Sequence, residues 1–146
     1  TIERQFHPKV QGTLVLEQVL HHLNLDFCLL LSSLSAVLGG LTFAAYSAAN
    51  LFMDVFVRAH NKNSRVRWTT INWESWKFTV LDQGIGAGLM ALAVTPAEGV
   101  DAFERILGRC DLDQLVVSTS DLRARISQWV SAFDRRQETS FEPVSA

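Results

Sequence analysis

Asp26 opens a run of five apolar residues, Phe27-Cys28-Leu29-Leu30-Leu31, that ends on Ser32 and Ser33. A strand open to water on one face alternates apolar and polar residues. A run without alternation, too short for a helix, is expected to be buried on both faces, as a strand inside a parallel sheet is. Its C-terminal serines would then reach the crevice where α/β enzymes hold ligands. Helical patterns flank the run and strand patterns recur after it, so the chain reads as an α/β protein with a parallel sheet of about three strands and flanking helices.

The remaining elements follow from periodicity and punctuation. Residues 8–23 place Val10, Leu14, Val15, Val19, Leu20 and Leu23 on one helical face, with Pro8 in the first turn. After a turn at Gly39 and Gly40, residues 43–60 show helical spacing through Ala48, Leu51, Phe52, Val55, Phe56 and Ala59. A polar turn over 61–65 leads to a second buried strand ending near Asn72 and Trp73. Residues 78–94, interrupted by Gly84, Gly86 and Gly88, read as an irregular lid with a short helix near Leu89. Thr95, Pro96 and Glu98 form a capping-box start for a helix to about Leu107. Residues 112–118 read as a third strand. Ser120 and Asp121 cap a last helix running through Trp129 and Phe133, and residues 134–146 are a polar linker or tail after a domain over 1–133.

Several classes are disfavoured. The formal net charge is −2 and the basic residues are scattered, so neither nucleic acid nor an anionic membrane is an expected partner. No signal-like start is seen, and the apolar stretches break before about 18 residues, so a cytoplasmic, non-spanning chain is expected. Cys28 and Cys110 lack CxxC spacing and read as reduced structural thiols. His21 and His22 adjoin on a predicted helix, where neighbours point about 100° apart, so no metal site is expected.

Chemistry concentrates in Lys9, Ser33, Tyr46 and Asn50. A tyrosine with an ordinary pKa of about 10 is a poor acid near neutrality, and a neighbouring lysine cation favours its phenolate. Lys9 could supply that charge. A serine at a strand end can hydrogen-bond a carbonyl oxygen while Tyr46 protonates it. Asn50 lies one helical turn after Tyr46 on the same face and could hold a proton-relaying water.

The segments PKVQGTLVLEQVL, LDFCLLLSSLSAVLGG and YSAANLFMDVF, together with INWESW, TPAEGVDAFERIL and VVSTSDLRARISQWV, resemble the ketoreductases of modular polyketide synthases. These belong to the short-chain dehydrogenase/reductase superfamily. In that family a serine stands thirteen residues before the tyrosine, as Ser33 does before Tyr46, and an asparagine four after it, as Asn50 does. Most of the superfamily carries lysine at that last place, whereas Lys9 with Asn50 follows the exchanged arrangement of the synthase ketoreductases.

The resemblance implies the C-terminal portion of a Rossmann-like doubly wound sheet, and reduction by NADPH of a β-ketoacyl group carried on an acyl carrier protein. Tyr46 would donate the proton, Ser33 would orient the carbonyl, Lys9 would tune Tyr46, and Asn50 would support the relay. Lys9, Tyr46 and Trp73 would meet the cofactor, and residues 77–92 would cover the substrate. No glycine-rich dinucleotide fingerprint is found, and Gly84-Ile85-Gly86-Ala87-Gly88 has the wrong spacing for one. An N-terminal half, on the same or another chain, is therefore an expected partner beside other synthase domains, and the strand at Phe27–Leu31 is expected to lack its inner neighbour. Leu38 stands eight residues before Tyr46, where one stereochemical class carries Trp, and disfavours that class. Two other readings are a non-catalytic structural or interaction module derived from a ketoreductase, and a dehydrogenase of free small molecules, which the exchanged Lys and Asn disfavour.

Overall fold

The protein is described by a computed structural model in which residues 2–39, 43–77 and 90–128 are defined. Residues 78–89 of the predicted lid, with the Gly84–Gly88 stretch and Leu89, and also Gly40, Trp129, Phe133 and the tail lie outside the described residues, whereas Ala93 and Val94 at the lid's far end are buried, Val94 bridging to Trp76.

The helical start is longer and less regular than its sequence pattern. α1 spans Ile2–Phe6, a π-helical turn spans His7–Gln11, and α2 spans Gly12–Leu20. Pro8 therefore sits inside helical structure and not at its beginning. A proline has no N–H to give, and the wider π turn tolerates the lost bond. The apolar stripe expected to be covered is largely open: Leu14, Val15, Val19 and Leu23 are exposed, whereas Thr13 is buried and Leu20 packs against the core. The sheet stops at the neighbouring strand, and no described element lies beyond to cover them.

β1 (Cys28–Ser33), β2 (Trp68–Trp73) and β3 (Gln114–Val116) form a parallel sheet in the order β1-β2-β3. In register, Ser32 pairs with Asn72 and Ser33 with Trp73, and Asn72 pairs in turn with Val116. Among the described residues β1 is an edge strand. β2 is buried along its whole length, as its β-rich sequence predicts.

β1 turns into a short α3 (Ser35–Leu38), which stops at Gly39 with φ of +72°, a conformation that glycine adopts without steric cost. α4 (Ala44–His60) then crosses one face of the sheet. Its buried residues are Ala49, Asn50, Met53, Asp54 and Val57, while Leu51 and Val55 are exposed. Hydrophobicity alone points to the wrong stripe, because two of the inward positions are polar. Asn61 ends the helix: its side chain bonds both the N–H and the carbonyl of Trp68, at 2.9 and 2.7 Å, tying α4 to the start of β2.

α5 (Pro96–Leu107) covers the other face. Its capping box is the predicted one. The Glu98 N–H donates to the Thr95 hydroxyl at 3.3 Å, and the Thr95 N–H donates to the Glu98 carboxylate at 2.8 Å. Gly99 is required here because a Cβ would overlap the Trp76 indole. α6, residues 122–128, starts where the Asp121 carboxylate accepts the N–H groups of Arg123 and Ala124.

The core lies on both sides of the sheet. Leu30, Met53, Val57 and Trp68 pack between sheet and α4, and Ile71, Trp73 and Ile106 between sheet and α5. Each such side chain contributes about 1.5–3 kcal/mol by leaving water. No helix among the described residues is long and apolar enough to cross a membrane.

Candidate active site

The predicted site residues meet around the C-terminal end of β1. Lys9, in the π turn, donates from Nζ to the carbonyl of Leu31 at 3.3 Å, which fixes its stem across the edge strand two residues before Ser33. From there the ammonium stands 5.5 Å from the Tyr46 ring centroid. A cation over an aromatic face is attracted to the ring. Burial lowers the Lys9 pKa from its ordinary value, and the Asp54 carboxylate raises it in partial opposition.

Ser33 is the last residue of β1, and its Oγ accepts the N–H of Ser35 at 3.2 Å and lies 3.0 Å from the Ser35 hydroxyl. With the oxygen engaged as acceptor, the Ser33 proton remains to be given to a substrate oxygen. Tyr46 lies in the first turn of α4 and is half-buried. Asn50 is fully buried, and its Nδ2 donates back to the Tyr46 carbonyl at 2.8 Å. Its Oδ1 has no hydrogen-bond partner, so this residue holds a spare buried acceptor rather than a pair of free relay groups.

Trp73 is placed differently from its expected side-chain role. Its backbone belongs to the strand mouth, pairing in register with Ser33 and accepting the Leu34 N–H at 2.8 Å. Its indole is 8% exposed and packs with Ile71, Ile106 and Trp76, the two rings 4.9 Å apart. The structure thus brings Lys9, Tyr46 and Asn50 together beside Ser33 and turns the Trp73 ring into the α5-side core.

Behind these residues lies a polar cluster that sequence patterning misses. Asp54 Oδ2 accepts from Asn72 Nδ2 at 2.8 Å and from Gln114 Nε2 at 3.3 Å. Asn72 Nδ2 also lies 3.1 Å from both the Ser32 hydroxyl and the Ser33 carbonyl, and Ser32 Oγ donates to the Asn50 carbonyl at 3.4 Å. The legible signal is a carboxylate inside NLFMDVFV, four residues after Asn50 and so on the Tyr46 face. Glu74, buried just past β2, pairs with Arg125 of α6.

The two cysteines are half-buried free thiols. Burial raises the pKa of both, with Asp111 adding to it at Cys110, which disfavours the thiolate. His21 and His22 lie in the turn after α2, not on a helix, with Nδ1 atoms 3.4 Å apart. The expected divergence of helical neighbours does not apply there.

The donor set fits a nicotinamide dinucleotide at its hydroxyl-bearing end. Lys9 has N–H donors beyond the one given to Leu31 that could meet cofactor hydroxyls.

Comparison with known proteins agrees. The KR domain model matches residues 1–78. Polyketide synthase PksM of Bacillus subtilis (strain 168) is 30% identical over 129 residues, covering 81% of this chain and 3% of that protein. The 6-methylsalicylic acid synthase of Aspergillus terreus (strain NIH 2624 / FGSC A1156) is 33% identical over 125 residues, covering 82% of this chain and 7% of that synthase. The chain thus spans only a small part of these curated relatives. The first ketoreductase of the tylosin PKS superposes with a TM-score of 0.74 at 26% identity, over 90% of this chain and 29% of that one. Three parallel strands flanked by helices are the part of the Rossmann-like ketoreductase fold described here. With the family match extending over more than half of its 146 residues, the chain belongs to the KR domain family, the ketoreductases of polyketide synthases.

Proposed function

We propose that this chain carries the proton-transfer residues for NADPH-dependent reduction of a β-ketoacyl thioester, held on an acyl carrier protein, to the β-hydroxyacyl thioester. The observation that carries this reading is the Lys9 ammonium, anchored by the Leu31 carbonyl and set 5.5 Å from the Tyr46 ring. The cofactor, when bound, supplies the hydride that adds to the ketone carbon.

The chain's residues handle the oxygen. The Ser33 hydroxyl donates to the ketone oxygen, and Tyr46 gives that oxygen its proton as charge develops on it. Lys9 stabilises the phenolate left behind, since a cation beside a phenol favours the ionised form. Lys9 would also hold cofactor hydroxyls, and the backbone of Trp73 at the strand mouth would border the cofactor. Asn50 holds the first turn of α4 by its bond to the Tyr46 carbonyl and offers its free acceptor to a relaying water. The glycine-rich phosphate cradle comes from a complementary N-terminal half seated against the open edge of β1, within a larger synthase.

The test is NADPH oxidation with a β-ketoacyl thioester analogue, by this chain alone and then mixed with an upstream ketoreductase half, each with a Tyr46→Phe control. Turnover that needs the mixture and disappears in the control supports the reading. A folded, complemented chain that neither binds NADPH nor turns over overturns it in favour of a non-catalytic module.

A further inference from the structure

Asp54 is 1% exposed and lies eight residues after Tyr46 on α4, where its carboxylate is far from bulk water. Burying such a group is costly unless its charge is used. A carboxylate only accepts hydrogen bonds, so it dictates the orientation of an amide beside it. Asn72, itself fully buried, must turn its Nδ2 toward Asp54 Oδ2, 2.8 Å away. That orientation brings the same Nδ2 to 3.1 Å from the Ser33 carbonyl and the Ser32 hydroxyl. It also leaves Asn72 Oδ1 to accept from Gln114 Nε2 at 2.8 Å, and Gln114 in turn accepts from Arg58 through its Oε1. The chain of contacts runs from an exposed arginine to the last residue of β1. Ser32 joins it to the backbone of Asn50.

We infer that Asp54 is a positioning residue: through Asn72 its carboxylate fixes the Ser33 end of β1, and so the hydroxyl that orients the ketone. The inference rests on the ketoreductase reading above. Asp54 touches neither substrate nor cofactor. An apolar side chain at this position could fill the volume but could not choose which end of the Asn72 amide faces Ser33. The interaction of Asp54 with Lys9 gives the same carboxylate a second line of influence on the site.

The test uses the full-length synthase carrying this domain, a diffusible β-ketoacyl thioester and NADPH. Asp54→Asn, which keeps the shape and removes the charge, is expected to lower kcat about 10- to 100-fold while KM and the NADPH Kd stay within about 3-fold. In the Ser33→Ala background the same change is expected to cost no more than about 2-fold, because the residue through which it acts is gone. A purely structural role would instead multiply the two losses. Should Asp54→Asn fail to fold, Gln114→Leu at the half-buried end of the cluster carries the test, with an expected loss of about 3- to 10-fold in kcat, again absorbed by Ser33→Ala. Wild-type kcat in the folded variants, or losses that multiply, overturn the inference. If the wild-type domain turns over and Tyr46→Phe does not, the ketoreductase reading stands whatever Asp54 does. No turnover by the wild type overturns the reading and the inference with it.

Discussion

On the α4 face of the sheet, Asn72 near the end of β2 and Gln114 at the start of β3 both donate to Asp54, and Asn72 also reaches Ser32 near the end of β1. On the α5 face at the same height, among the described residues, Ile71, Trp73 and Leu115 meet Ile106, Trp76 and Ala102 in an apolar cluster. One backbone supplies both, since successive residues of a strand point to opposite sides. Apolar packing supports the sheet on both faces, and on the proposed reading the buried polar groups of the α4 face also orient a reaction. Substitutions should therefore separate cleanly into losses of turnover and losses of stability. Tyr46→Phe offers the widest separation, with a fall in kcat of about 10²–10⁴-fold and little change in thermal midpoint. A Tyr46→Phe protein that unfolds at low temperature would break the distinction.

Ile106→Ala is the converse experiment. Ile106 is 6% exposed, and its truncation leaves a cavity against Ile71 and Trp73. The expected cost is about 2–5 kcal/mol by urea unfolding, with kcat per folded molecule unchanged. A large fall in kcat at full folding would show that the α5 face also shapes the site.

The two faces were unequally readable from sequence. β1, β2 and the placement of Ser33 at a strand end and of Tyr46 and Asn50 one turn apart on a helix follow from short-range patterns, because a continuous apolar run and fixed helical spacing are local properties, whereas the roles proposed for these residues come from the family resemblance. The Thr95 capping box is equally local, and it forms as the sequence predicts. The inward face of α4 is not legible from hydrophobicity because Asn50 and Asp54 are polar; Asn50 bonds back to the Tyr46 carbonyl one turn earlier, and the partners of Asp54 are Asn72 and Gln114, distant in sequence. The start of the first helix was misplaced because a proline is compatible with a π turn that periodicity does not reveal. Trp73 was assigned by resemblance to the cofactor side, whereas strand alternation sends its ring into the opposite core.

Lys9 sharpens the comparison by coupling turnover and stability with opposite signs. Its folded pKa lies below the ordinary lysine value of 10.5, chiefly because burial disfavours the cation. As pH rises through the folded value, the native protein loses the Lys9 proton while the unfolded chain still binds one. The unfolded state then carries more protons, so the Lys9 contribution to stability improves with pH up to the unfolded value. Over the same window kcat should fall, because the phenolate of Tyr46 loses its cation. Parallel pH profiles of kcat and of the urea midpoint, compared with Lys9→Met, measure both. A Lys9→Met protein that keeps the wild-type alkaline limb would detach Lys9 from proton transfer.

The smallest expected effect belongs to the edge of the α5 face. The Thr95 hydroxyl accepts the Glu98 N–H and donates to the Glu98 carboxylate, which also accepts the Thr95 N–H, so groups that a helix start leaves without partners are satisfied. Thr95→Ala removes the hydroxyl and should cost about 1 kcal/mol. The bonds that the Thr95 N–H and hydroxyl donate to the carboxylate hold the Glu98 pKa below its ordinary value. A depressed carboxylate stabilises the fold above its unfolded pKa and loses that contribution as pH falls through the folded value. The difference between wild type and Thr95→Ala in urea unfolding should therefore narrow in acid, while kcat at neutral pH stays the same. A difference independent of pH would assign the cap to the bond that the hydroxyl accepts from the Glu98 N–H, and a change in kcat would mean that the start of α5 reaches the site through Trp76, which packs over Gly99 and against Trp73.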